Sequence, residues 1–135
     1  MARGYRNCNP GNIRNSSVRY LGEKESTDIA YKQFESMAWG FRAMFVLLHT
    51  YQVRYGLKTL QQMIERYAPP SENDTTGYVS YITRRTRIAD ISTVDTHSEK
   101  QMIPLVTAMA VMENGTEPDA DDVHKGWELF VNSSK

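Results

Sequence analysis

From Ser36 onward the chain is a succession of helix-length apolar stripes, each closed by a capping or breaking residue, and this pattern leaves few folds open. Phe41, Met44, Leu48, Tyr51 and Tyr55 recur every three or four residues, with Ser36 placed as N-cap and Gly56 as a left-handed stop. Thr59-Leu60-Gln61-Gln62 is a capping box that opens a short helix to about Tyr67, and Pro69-Pro70 ends it. Asp74 or Thr75 caps a helix to about Ile88. Thr96 or Ser98 opens another through Met102, Leu105, Val106 and Met109, with Pro104 in its first turn or at a kink and Gly115 as its stop. Asp119 or Asp121 opens the last, with Val123, Trp127 and Phe130 on its apolar face. Gly40 inside the first of these helices costs about 1 kcal/mol relative to Ala, and close packing by another segment is the expected compensation.

The front of the chain has a different grammar. Asn9-Pro10-Gly11-Asn12 predicts a tight turn, with Pro fixing one φ and Gly tolerating the positive φ of a type II turn. Ile13-Arg14 and Val18–Leu21 flank Asn15-Ser16-Ser17 as in a small hairpin, and no helix is expected before Ser36. The expected fold is therefore α+β and mostly α. About five helices over 36–131 follow a small β-rich hairpin lobe over about 7–34, in one domain spanning 1–135.

Composition narrows function more by exclusion than by assignment. Sixteen Lys+Arg balance sixteen Asp+Glu, so a strongly basic nucleic-acid binder is excluded, although a local basic patch is not. Arg84, Arg85 and Arg87 read as a solvated helix face, and nucleic acid is not an expected partner. The single Cys8 rules out an intrachain disulfide and multi-Cys metal centres. His49, His97 and His124 form no H-x-x-x-H pair, and no phosphate-binding glycine loop or dinucleotide fingerprint is present, so no metal or cofactor is expected. The longest apolar run, near Met44–Leu48, is far short of a membrane span. No targeting segment is visible, which predicts a protein that stays in the cytoplasm or reaches other compartments by cell lysis.

Carboxylates and tyrosines are the remaining carriers of chemistry. Glu113 closes an apolar helix just before Asn114-Gly115. A helix C-terminus disfavours negative charge, and partial burial there would keep the carboxyl protonated, as a general acid for glycoside cleavage requires. The alternative is a solvated residue of a last turn. Glu23 and Glu25 fall on one side of any strand that continues past the hairpin, so one of them can face a groove; surface carboxylates flanking Lys24 are the alternative. Glu72 and Asn73 are either ligand contacts or local ties in the connection to the next helix. Tyr20, Tyr31, Tyr78 and Tyr81 have the flat amphipathic rings that suit sugar faces, although most aromatic stripes of this sort are simply core.

Arg6-Asn7-Cys8-Asn9-Pro10-Gly11-Asn12-Ile13-Arg14 resembles the R-N-x-N-P-G-N-I-R opening of a family of phage and prophage virion proteins, itself similar to the lysozyme-like superfamily of muramidases and lytic transglycosylases. Tyr20-x-Gly22, Gly40-Phe41-Arg42-Ala43, Tyr55-Gly56-Leu57-x-Thr59 and Tyr67-Ala68-Pro69-Pro70-x-Glu72-Asn73-x-Thr75-x-x-Tyr78 extend the match over nearly the whole chain. The first segment also resembles a hairpin of bacterial cell-wall glucosaminidases, whose catalytic Glu lies on a helix before that hairpin. Only about six residues precede it here, so the resemblance implies either a non-catalytic relative or a circular permutation. Glu113-Asn114-Gly115-x-x-Pro118 resembles the E-S-G-x-x-P segment of lytic transglycosylases and would supply the acid in a permuted order.

The resemblance implies peptidoglycan, or another cell-wall glycan, as the substrate. Glu113 would be the general acid, Glu25 (or Glu23) a second carboxylate, and Tyr20, Tyr78, Glu72 and Asn73 substrate contacts. The alternative it carries is a non-catalytic virion or cell-wall-binding module on the same fold, partnered by phage structural proteins and housed in a phage particle.

Overall fold

Every capping signal behind residue 35 becomes a helix boundary in the computed structural model, which describes residues 1–133. Helix α2 (Met37–Tyr55) starts on the Ser36 hydroxyl, which accepts from the Trp39 amide, and stops at Gly56 in the left-handed region. Helix α3 (Leu60–Tyr67) opens on the complete Thr59/Gln62 capping box. Asp74 caps α4 (Thr75–Thr86), which ends two residues before the expected Ile88 because Arg87 takes the left-handed conformation. Ser98 caps α5 (Glu99–Asn114), with Pro104 inside it, and Asp119 caps α6 (Ala120–Asn132).

The front departs from expectation in three ways. One helical turn, α1 (Arg3–Arg6), precedes the Asn-Pro-Gly-Asn segment. The two-stranded sheet joins β1 (Glu23–Lys24) to β2 (Gln33–Phe34), antiparallel, in place of the expected pairing of Ile13-Arg14 with Val18–Leu21. Arg14 instead bridges Tyr31. The cause is polar. Lys32 is almost fully buried and pairs with buried Glu23 at 2.9 Å, while its ammonium also donates to the carbonyls of Ser16 and Val18. The segment expected to be a strand is thus held as a loop around a lysine. Residues 9–12 do close a turn, with the Asn12 amide donating to the Asn9 carbonyl at 3.0 Å. Positive φ falls on Cys8 and Asn12, however, and not on Gly11.

One apolar cluster draws on α2 to α6 and takes in Ile13 and Phe34 from the front. Helices α2 and α6 cross closely at Gly126, where a Cβ would meet the Phe41 Cβ and, at 3.0 Å, the Ala38 carbonyl. Phe45 packs edge-on against Trp127 at 5.1 Å and stacks on Phe130 at 5.9 Å, pairs worth about 1 kcal/mol each beyond their burial. Among the described residues no helix is long and apolar enough to cross a membrane.

The cost of Gly40 has the compensation the sequence calls for. The Cys8 carbonyl and the Pro10 ring lie against it, and a Cβ there would overlap the Cys8 oxygen and sit 2.6 Å from Pro10 Cδ. The Asn-Pro-Gly-Asn turn is thereby docked onto α2. Gly40→Ala is expected to destabilise the protein by roughly 1–3 kcal/mol in urea denaturation, despite the better helix former; an unchanged or raised midpoint would contradict this docking.

The loop before α5 is pinned by His49 Nδ1 against Thr96 Oγ1 at 2.7 Å and by the His97 ring 4.8 Å from the His49 ring. Burial, and secondarily the charge of His97, push the His49 imidazole below its ordinary value. The unfolded chain therefore binds the proton more readily, and stability is lost as pH falls through the ordinary histidine range near ~6.5 and below. Melting temperature should drop from pH 7.5 to 5.5 in the wild type and drop less in His97→Gln.

Candidate functional site

One face of α2 borders a groove. Val46, Leu47, Thr50, Tyr51, Arg54 and Tyr55 lie at helical spacing on that face, while Phe41, Met44, Phe45 and Leu48 are buried. The bordering face forms one wall of this groove, whose volume is about 700 Å³. The loop Val18–Leu21, hung from Lys32, forms a second wall, and the end of α3 with its following connection, from Arg66 to Asn73, forms a third. The docked turn, from Gly11 to Arg14, with Ser16, Tyr31, Arg42 and Glu113, completes the lining.

Glu113 reaches this position because α5 stops there. Gly115 takes the left-handed conformation. Asn114 then donates from Nδ2 to the Pro10 carbonyl at 2.8 Å, which joins the helix end to the front turn. Asn12, turned at positive φ, donates from Nδ2 to Glu113 Oε1 at 3.1 Å. The Tyr78 hydroxyl donates to Glu113 Oε2 at 2.9 Å. The Tyr67 hydroxyl donates to the Gly11 carbonyl, and a side chain at residue 11 would overlap that hydroxyl and crowd Met44. Asn9, fully buried, stitches the turn together by donating to the carbonyls of Ile13 and Lys32 and accepting from the Ile13 amide.

Burial pushes the Glu113 carboxyl above the ordinary carboxylate range, against the opposing pull of the Asn12 and Tyr78 hydrogen bonds and the charge of Arg14. Burial also drives the Tyr78 and Tyr67 hydroxyls well up, with the charge of Glu113 adding to the shift, so both remain protonated donors. The site therefore holds a carboxyl that takes up its proton more readily than an ordinary carboxylate, flanked by the neutral donors Asn12 and Tyr78 on its two oxygens. Among the described residues no cluster of three or more His, Cys, Asp and Glu side chains is placed to hold a metal ion.

Five of the residues singled out in the sequence, Tyr20, Tyr31, Glu72, Asn73 and Glu113, meet in this groove. Glu72 is an exposed partner of Arg14 at 2.8 Å, and Asn73 donates back to the Pro69 carbonyl. Tyr78 is in the core behind Glu113, touching the acid rather than the groove. Glu25 is exposed at the end of β1 and lies outside the lining, and Glu23 is committed to Lys32. Sequence reading missed Asn12 and Tyr67. The buried Tyr67 hydroxyl, which must find an acceptor, was the available clue to that residue. The second Asn of the turn was the clue to the other.

Tyr78→Phe removes one donor to the carboxylate and Asn12→Ala removes the other. Each is expected to move the Glu113 titration further upward, read by carbon NMR of the labelled carboxyl, with Tyr78→Phe retaining the fold. A downward or absent movement in both would show that the two donors do not act on Glu113.

No family model matches the chain. Protein P5 of Pseudoalteromonas phage PM2 is 36% identical to it over 132 residues, covering 94% of this chain and 81% of that protein. With that identity sustained across nearly the whole length, the chain belongs to the family of Protein P5 of phage PM2.

Proposed function

We propose that this protein cleaves the glycan strands of peptidoglycan, with Glu113 as the general acid, on a lysozyme-like arrangement in circularly permuted order. The observation that carries the reading is a largely desolvated carboxyl in the lining of a long open groove, held on both oxygens by neutral donors. The contact between Asn114 and Pro10, which sets the end of α5 against the front turn, supports the permuted order.

Protonated Glu113 gives its proton to the glycosidic oxygen as the bond from that oxygen to the sugar carbon breaks. Asn12 and Tyr78 then stabilise the carboxylate left behind. The carboxylate takes a proton back from the hydroxyl that attacks the sugar carbon. Glu72, the other carboxylate of the lining, is engaged by Arg14. That favours a transglycosylase-type course, in which the substrate's own hydroxyl is the nucleophile and one carboxyl serves as acid and then base. Tyr20 is the sugar platform, and Asn73 lines the strand's path. Access to the wall would come by lysis or from within a phage particle.

A second reading has its own support. Both oxygens and the carbonyl of Glu113 are engaged by Asn12 and Tyr78, which also describes a purely structural tie between α5 and the front turn. Together with the phage relative, this fits a non-catalytic virion or wall-binding module.

Glu113→Gln preserves shape and removes the proton, so it separates the two readings. Purified cell walls should lose turbidity with the wild type, with anhydro-sugar ends appearing by mass spectrometry. The variant should be slower by about 100-fold or more at an unchanged melting temperature. Equal clearing by both removes Glu113 from the mechanism, whereas no clearing by a folded wild type on several wall types leaves the structural reading. The wild-type rate should fall as pH rises through the Glu113 titration, which burial has moved above the ordinary carboxylate range.

A further inference from the structure

The chain has no net charge, yet its groove is strongly cationic. Arg14, Arg19, Arg42, Arg54 and Arg66 line it, against Glu72 and Glu113. Arg14 is neutralised by Glu72, and Arg42 is buried and donates to the Ser133 carbonyl at 2.7 Å. Arg19, Arg54 and Arg66 are exposed, and among the described residues no carboxylate lies within ion-pairing distance of any of them.

Two of these guanidiniums come from adjoining helices at one end of the groove. Arg66 of α3 lies over the Tyr55 ring at 4.3 Å and the Tyr51 ring at 5.6 Å, and Arg54 of α2 precedes Tyr55 in the same lining. Aromatic faces hold Arg66 in place without cancelling its charge, so less order is lost when it meets a ligand. Arg19 and Tyr20, on the loop that forms another wall, line the same groove. The front turn docks on α2 at Gly40 and Met44. Arg54 lies ten residues beyond Met44, roughly 15 Å along the helix axis. The arginines therefore meet a part of the ligand other than the bond Glu113 reaches.

We propose that Arg54 and Arg66, with Arg19 opposite, form a carboxylate subsite that selects glycan strands carrying acidic substituents over neutral ones. The proposal rests on the glycan reading above and adds its specificity. An exposed arginine pair with no counter-ion among the described residues is suited to a bidentate carboxylate partner.

The test uses the full chain carrying Glu113→Gln, so that binding is read without turnover. Its probes are fluorescent soluble peptidoglycan strands with their carboxyls intact, and the same strands with those carboxyls converted to neutral amides. Intact strands should bind about tenfold or more tighter than amidated ones, and the difference should shrink with added salt. Arg54→Gln with Arg66→Gln should abolish the preference, whereas Arg54→Lys with Arg66→Lys should keep part of it. Both positions are exposed, and a thermal melt checks that the variants fold. Equal binding of intact and amidated strands, or a preference that survives the glutamine pair, overturns the subsite and leaves the glycan reading standing. Failure to bind either strand overturns both.

Discussion

Docking of the Asn9–Asn12 turn onto the helices is the contact on which the rest of this structure depends. Its proline ring, with the preceding Cys8 carbonyl, presses against Gly40 of α2, its glycine, Gly11, lies under the Tyr67 hydroxyl of α3, and its proline carbonyl accepts from Asn114 of α5. Three helices, α2, α3 and α5, are thereby referred to one four-residue segment. The two glycines matter here for their lack of bulk: each occupies a place where a Cβ would push the turn off its seat. Asn9 supplies the polar half of the same joint. A buried loop exposes amides and carbonyls that need partners, and this one side chain answers three of them.

The position of Glu113 follows from that joint. A glutamate at a helix end would ordinarily be solvated, with its charge only mildly disfavoured by the helix dipole. Here the front turn covers the helix end and removes water from the carboxyl, and the same turn provides Asn12 as a donor. Burial and compensation thus come from one contact. The groove is assembled around it in a comparable way: the buried Lys32–Glu23 pair holds the loop carrying Tyr20 as a wall. Such a pair is strongly destabilising to break from one side, which makes it a firm support for a loop without regular structure.

Much of the helical architecture was legible in the sequence. Ser36, Thr59 with Gln62, Asp74, Ser98 and Asp119 are local signals, read by amides two or three residues away, so each helix start could be located without knowing the fold. The hairpin was misplaced because alternation at Val18–Leu21 looks like a strand until a lysine fourteen residues away captures the Val18 carbonyl. Tyr78 was read as a surface sugar platform for a similar reason. Helical spacing marks which residues share a face, but not which neighbour that face meets.

The residues by themselves determined, to within a few residues, the five helices behind Ser36, that Gly40 needed a close neighbour, and that Glu113 terminates an apolar helix. These properties depend on interactions spanning only a few residues. Tertiary structure alone decided that Glu113 is buried beside Asn12, that Glu25 stays outside the groove, and that three arginines face it without carboxylate partners among the described residues, in a chain of zero net charge. Desolvation and charge pairing depend on which distant surfaces come together, and that information lies in packing rather than in any local run of sequence.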